Sequence, residues 1–171
     1  MRIAGDGASL PKLFSLCDLS PQAAVDRKLL LDQVLFNLCI DNHDAHGKNF
    51  TFYVHNKGLR LTPAYDLVNI AMYPELDQDM AMALGDEFDS RTVNAYQLAD
   101  FAESCCLPRA LVARRLIVIA QRIMQHLPVV LSAYAARDES EKAFVAHLEK
   151  TVRERSEHLL VEAAGIQSIG L

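Results

Sequence analysis

With 171 residues, 51% of them hydrophobic and 23% charged, the chain is long enough to bury one core and too apolar for wholesale disorder. No run of about 18 uninterrupted apolar residues occurs, which argues against a transmembrane helix. No secretory signal is readable in Met1 to Gly7. The formal net charge of −5 argues against the whole domain acting as an electrostatic footprint for nucleic acid.

Residues 1–7 read as a loose lead-in. Ser9 is placed to cap a short helix through Leu10, Leu13, Phe14 and Leu16, and Ser20–Pro21 has the N-cap and first-turn pairing of a second. From Leu29 to Ile40 the chain is apolar except for Asp32, Gln33 and Asn37, the pattern of a core helix. That helix runs into the polar string Asp41-Asn42-His43-Asp44-Ala45-His46-Gly47-Lys48-Asn49. Alternation then predicts a β-hairpin: Phe50, Phe52 and Val54, a turn at Asn56-Lys57-Gly58, and a return through Leu59 and Leu61. Pro63 closes it, since proline cannot donate to a ladder. Met80–Leu84 is a further brief strand, followed by an acidic turn over Gly85–Asp89.

The remainder reads as helical. One helix is expected over Ala95–Cys105, stopping at Pro108, and another from there to about His126, broken by Pro128. Arg114, Arg115 and Arg122 are expected on a solvated face. A last helix starts near Asp138, with Glu141 in capping-box position, an apolar stripe of Phe144, Leu148, Val152 and Leu159, and a Glu149–Arg153 pair. No repeat, low-complexity tract or linker is visible, so residues 1–171 are expected to form one domain. Four cysteines without C-x-x-C spacing, two of them vicinal at Cys105-Cys106, read as buried reduced thiols of a cytoplasmic protein.

The polar string carries chemistry. Phosphoryl transfer needs positioned charge more than covalent help: a carboxylate to accept a hydrogen bond from the attacking hydroxyl, then an amide oxygen and a second carboxylate to hold Mg²⁺. Asp44, Asn49 five positions later, and Asp66 after the hairpin match the catalytic-loop and metal-loop arrangement of protein kinases. Lys48 adds positive charge beside Asn49. Taken singly, each of these residues is an ordinary cap or turn former; their joint order is the signal. A metal-dependent phosphohydrolase built on His43-Asp44 would need an upstream histidine, and His43 is the first in the chain.

The stretch Asn42-His43-Asp44-Ala45-His46-Gly47-Lys48-Asn49, followed by Leu59-Arg60-Leu61-Thr62-Pro63-Ala64-Tyr65-Asp66, resembles the HipA family of bacterial serine/threonine kinases, whose pattern is N-x-D-x-H-x-K-N, a hairpin, then L-x-P-x-Y-D. Ser9-Leu10, Phe14, Asp26-Arg27 and Phe36-Asn37 extend the likeness towards the N-terminus. The resemblance implies a mainly α-helical, protein-kinase-like C-terminal lobe with the small β-hairpin at the active-site rim. It implies Asp44 as catalytic base and Asn49 with Asp66 as metal ligands. His46, Gly47, Lys48 and Tyr65 would serve the nucleotide-phosphate end, with ATP and Mg²⁺ as cofactors.

Two local departures stand out: Asp41 occupies a position where the family often has glycine, and Leu67-Val68 follows Asp66 in place of Phe-Gly. A larger one is that no phosphate-covering loop or ATP-pairing lysine is readable before Asp44. Lys12 and Lys28 are the only upstream lysines, and both sit in helical contexts. The chain is therefore expected to be a C-lobe without its N-terminal lobe, incompletely equipped for catalysis alone. The implied partners are that lobe, a HipB-like antitoxin and a protein substrate, with DNA met only through the antitoxin and no membrane. The alternative is a non-catalytic interaction module. Self-association is also expected, through surface exposed at Leu10, Leu13, Phe14 and Val54.

Overall fold

The computed structural model describes residues 7–170; most of the expected lead-in, Met1 to Asp6, lies outside them. The chain is mostly helical. Helices α1 (Leu10–Leu16) and α2 (Ala23–Cys39) come first, then the hairpins β1 (Phe52–His55) with β2 (Gly58–Leu61) and β3 (Asp79–Leu84) with β4 (Glu87–Asp89). Helices α3 (Ala95–Ser104), α4 (Arg109–Ser132) and α5 (Glu139–Gly165) come last.

The apolar run of α2 does what its pattern demands: Leu30, Leu31, Leu35 and Cys39 are fully buried in one contiguous core with α1, α3 and α4. Arg27 secures that corner. Its guanidinium donates to the Phe14 carbonyl at 3.1 Å and to the Cys105 carbonyl at 2.6 Å, and lies 5.6 Å from the Phe14 ring centre. Helix α4 packs along α5 and against α2.

Both hairpins are antiparallel. Phe52 faces Leu61 and His55 faces Gly58 in the first. Gly58 has φ 125°, and a Cβ there would lie 2.2 Å from the Leu19 carbonyl oxygen, so only glycine fits on both counts. The second hairpin was not foreseen. Asp79 pairs with Asp89 and Leu84 with Glu87, so the expected acidic turn is partly a strand. Its short, bulged pairing leaves too little alternation for sequence to betray.

Several expectations are corrected. Ser20 does not cap α2: its hydroxyl accepts from the Gln22 N–H at 3.0 Å, and Gln22, two residues later, is the N-cap. Ser9 is the N-cap of α1, but its side chain makes no capping bond. Pro128 does not break α4, which continues through it to Ser132; proline forfeits one hydrogen bond, and the rest of the helix holds the line. Asp138 caps α5 through the Glu141 N–H at 2.9 Å, but Glu141 turns to Arg137 instead of closing the box. In the expected stripe of α5, Val152 and Leu159 are buried while Phe144 is exposed, tilted against Tyr73 at 6.2 Å. Arg115 is not solvated: it makes a two-pronged pair with Asp32 at 2.7 and 2.9 Å. Leu10, Leu13 and Phe14 are buried, so of the apolar surface expected only Val54 is exposed, at 82%.

The cysteines divide. Cys17, Cys39 and Cys105 are buried and Cys106 is exposed, contrary to the expectation of a core residue; all are free thiols. Burial pushes Cys17 up to about 11 and Cys39 and Cys105 up to about 12, which withholds the reactive thiolate. At pH 8 a disulfide reagent should therefore label Cys106 alone in the native chain and all four thiols in denaturant; rapid native labelling of Cys39 would contradict this packing. Among the described residues, no helix is long and apolar enough to cross a membrane.

Candidate functional site

Helix α2 ends at Cys39 with Ile40 as its C-cap, and the chain turns through Asp41 at φ 50°, a left-handed conformation that costs a non-glycine residue roughly 1–2 kcal/mol. Asn42 is buried and anchors the loop. Its amide donates to the Asn37 side chain at 3.0 Å and to the Asp66 carbonyl at 2.9 Å, joining the end of the core helix to the end of the first hairpin. Backbone bonds His46 N–H to Asp44 carbonyl, 2.7 Å, and Asn49 N–H to His46 carbonyl, 2.9 Å, then wind the loop into a short 3₁₀ turn over Gly47–Asn49.

Asn49 precedes β1 and Asp66 comes after β2. The hairpin folds back so that Asn49 Nδ2 donates to Asp66 Oδ2 at 2.5 Å. Asp66 itself is left-handed, at φ 57°. The Asn49 amide presents nitrogen to the carboxylate, while its Oδ1 is buried without a hydrogen-bond partner. A half-turn of the amide exchanges the two atoms. Asn49 Oδ1 and the Asp66 carboxylate are oxygen donors of the kind a hard divalent cation takes, and the orphaned amide oxygen fits such a role. Among the described residues, no group of three or more His, Cys, Asp or Glu gathers as a metal site; Mg²⁺ commonly uses only one or two carboxylates and completes its shell with phosphate and water.

The other candidate residues are spread around this pair. Asp44 is exposed and lines a cleft of about 300 Å³ with His43, Ile70, Leu76, Asp77 and Asp79. Lys48 is exposed, and its carbonyl accepts a hydrogen bond from the Tyr65 hydroxyl. His46 is half-buried, with Nδ1 unpartnered. Gly47 has a packing reason to be glycine: a Cβ there would lie 2.3 Å from the Ala8 side chain.

A second set of residues forms a network that the sequence did not show. His43 is buried, and its Nε2 lies 2.8 Å from the Ser90 hydroxyl. Asp41 Oδ1 accepts from Ser90 at 3.3 Å and sits 3.5 Å from His43 Nε2. Arg155, buried on α5, places Nε 3.2 Å from the same Asp41 oxygen and 3.3 Å from the Leu38 carbonyl. Burial pulls the Arg155 guanidinium below its ordinary range, and the Asp41 charge opposes that. Only the aspartate in a glycine position was a visible sign; nothing in the amphipathic pattern of α5 marks Arg155.

Comparisons with known proteins identify the relatives of the chain. The serine/threonine-protein kinase toxin HipA of Shewanella oneidensis is 41% identical over 155 residues, 91% of this chain and 36% of that protein. The protein Y4mE of Sinorhizobium fredii is 37% identical over 98 residues, 57% of this chain and 23% of that protein. A solved structure of the Shewanella oneidensis MR-1 toxin–antitoxin complex of HipA, HipB and operator DNA superposes with a TM-score of 0.94 at 38% identity, covering 97% of this chain and 39% of that one. The chain thus spans little more than a third of the length of these relatives at most, and its likeness supports a kinase-like lobe. The family model described as the HipA-like C-terminal domain matches residues 3–128, the span that holds both hairpins and the Asn49–Asp66 contact, and the chain belongs to that family.

Proposed function

We propose that this chain is the catalytic C-terminal lobe of a HipA-like serine/threonine-protein kinase toxin, passing the γ-phosphate of ATP to a protein hydroxyl with Mg²⁺. The observation that carries the reading is the 2.5 Å contact between Asn49 and Asp66, which brings together two oxygen-bearing side chains from opposite ends of a hairpin. In this reading residues 1–171 act as one domain, with the β1–β2 hairpin at the rim of the active site. Asn49 and Asp66 hold the metal, which when bound neutralises charge on the phosphates. Asp44, exposed on the cleft wall, accepts the proton of the attacking hydroxyl. Lys48 lends positive charge, and His46, Gly47 and Tyr65 shape the phosphate end. Substrate approaches from the cleft between the Asp44 loop and β3. The adenine and the β- and γ-phosphates need a further lobe, and regulation falls to a HipB-like antitoxin, through which any DNA is met; the setting is the cytoplasm.

The test is a chimaera in which these residues replace the corresponding C-terminal part of the Shewanella oneidensis relative. Mg²⁺-dependent transfer of labelled γ-phosphate to protein is expected from the chimaera, and none from the 171-residue chain alone. A chimaera that folds and binds ATP but transfers nothing would favour the alternative, a lobe that serves only as an interaction module.

A further inference from the structure

We propose that Arg155 is a positioning residue: acting through Asp41, it holds the loop from Asp41 to Asn49 in the arrangement that phosphoryl transfer requires. The proposal rests on the kinase reading of that loop, and it concerns a residue outside the span matched by the family model.

The last carbonyls of a helix lack intrahelical donors. At the end of α2, the Leu38 carbonyl takes a long 3.4 Å bond from the Asp41 N–H, and Arg155 Nε donates to it as well while pairing with the Asp41 carboxylate. Asp41 holds a left-handed backbone, φ 50°, that glycine would adopt without strain. What glycine cannot supply is the carboxylate oxygen Oδ1, around which Arg155 Nε, Ser90 Oγ and His43 Nε2 all lie within 3.5 Å. The strain at residue 41 and the buried cation on α5 therefore explain each other. Each would be costly alone: a buried guanidinium without its counter-charge is strongly destabilising.

The network points at the reacting groups. The carbonyl of Asp41 accepts from Ile70 N–H at 3.0 Å, and that of His43 accepts from Ala81 N–H at 2.8 Å. The same two residues thus fasten the loop to the segment beyond Asp66 and to β3. Asp44 is the next residue along the chain. Apolar packing could support the loop, but a hydrogen bond from Ser90 and charged contacts that converge on one oxygen also fix its orientation. Both Arg155 contacts run through Nε, and Nη2 has no partner, so an ammonium on a stem of similar reach can stand in for the guanidinium.

The test compares the whole chain with Arg155→Met, Arg155→Lys and Asp41→Asn by amide hydrogen exchange. His46 and Asn49 amides report the loop, and Leu98 to Ala102 of α3 report global opening. Relative to α3, the loop amides should exchange about tenfold faster in Arg155→Met, and Arg155→Lys should recover most of that protection. Asp41→Asn keeps a residue that tolerates the left-handed backbone and removes only the charge, so it reads the same effect should the methionine variant fail to fold. Loop protection that falls only in step with α3, or no recovery with lysine, would overturn the proposal and leave Arg155 a structural brace. Mn²⁺ broadening of the Asn49 and Asp66 resonances in the unaltered chain tests the kinase reading separately. Its absence would count against that reading while the exchange data still decide the role of Arg155.

Discussion

Asp44→Asn in the chimaeric kinase is expected to lower kcat by about 10²–10⁴-fold, the range for losing a positioned general base, with the KM for ATP changed by less than about threefold. The asymmetry arises from where Asp44 sits. It lines the cleft on the β3 side, whereas Asn49 and Asp66 bond to each other, so removing the Asp44 charge leaves the proposed metal pair intact. Asparagine is nearly isosteric and the side chain is exposed, so the fold should be unaffected. Steady-state phosphorylation across an ATP series separates the two constants. A variant that keeps more than about a tenth of wild-type kcat would remove Asp44 from the role of base. A large rise in the KM for ATP would instead move it to the nucleotide side.

Phe101→Ala should cost about 3–5 kcal/mol, the usual range for deleting a buried phenylalanine ring. Phe101 is fully buried on α3 and meets Phe14 of α1 edge-on, ring centres 5.9 Å apart at 65°. Phe14 in turn lies under Arg27, whose guanidinium bridges α1 to the end of α3. The cavity opens at a junction of three helices already tied by hydrogen bonds, which limits collapse, and the upper half of the range is expected. Against a typical domain stability of roughly 5–15 kcal/mol, this is enough to populate unfolded chain. Urea denaturation with an unchanged slope would read it directly; a loss below about 1 kcal/mol would mean that α3 and α1 are not packed as described.

What was legible in the sequence was what periodicity and spacing encode. The nearly all-round apolar character of α2 marked a core helix, and from Leu30 to Cys39 it is largely buried, while Leu29, at the start of the run, is exposed. The first hairpin was visible because a Gly-containing turn separates two alternating runs. Asn49 and Asp66 could be chosen as a pair from their order in the chain, and they are in hydrogen-bond contact. Contacts that cross the fold left no such trace. Arg115 looks like any surface arginine until Asp32 of α2 is set beside it. Leu10 and Phe14 looked like exposed surface because nothing local says that α3 and β3 will cover a seven-residue helix. Caps were misassigned at Ser20 and Glu141 because an oxygen at the correct offset says nothing of which N–H it will meet. The Asn94–Gln97 capping box of α3 was legible and overlooked.

The bond from Arg155 to the Leu38 carbonyl spans 117 residues, and this has a consequence for the newly made chain. At ribosomal rates of about 5–20 residues per second, roughly 6–23 s separate the synthesis of one partner from that of the other. Through that interval α2 and the Asp41 loop exist without the cation that ties them, and α5 must leave the exit tunnel before the tie can form. The polar loop should therefore be among the last parts of this lobe to acquire its final shape. A nascent chain stalled before α5 would hold the residues of the loop but not their arrangement.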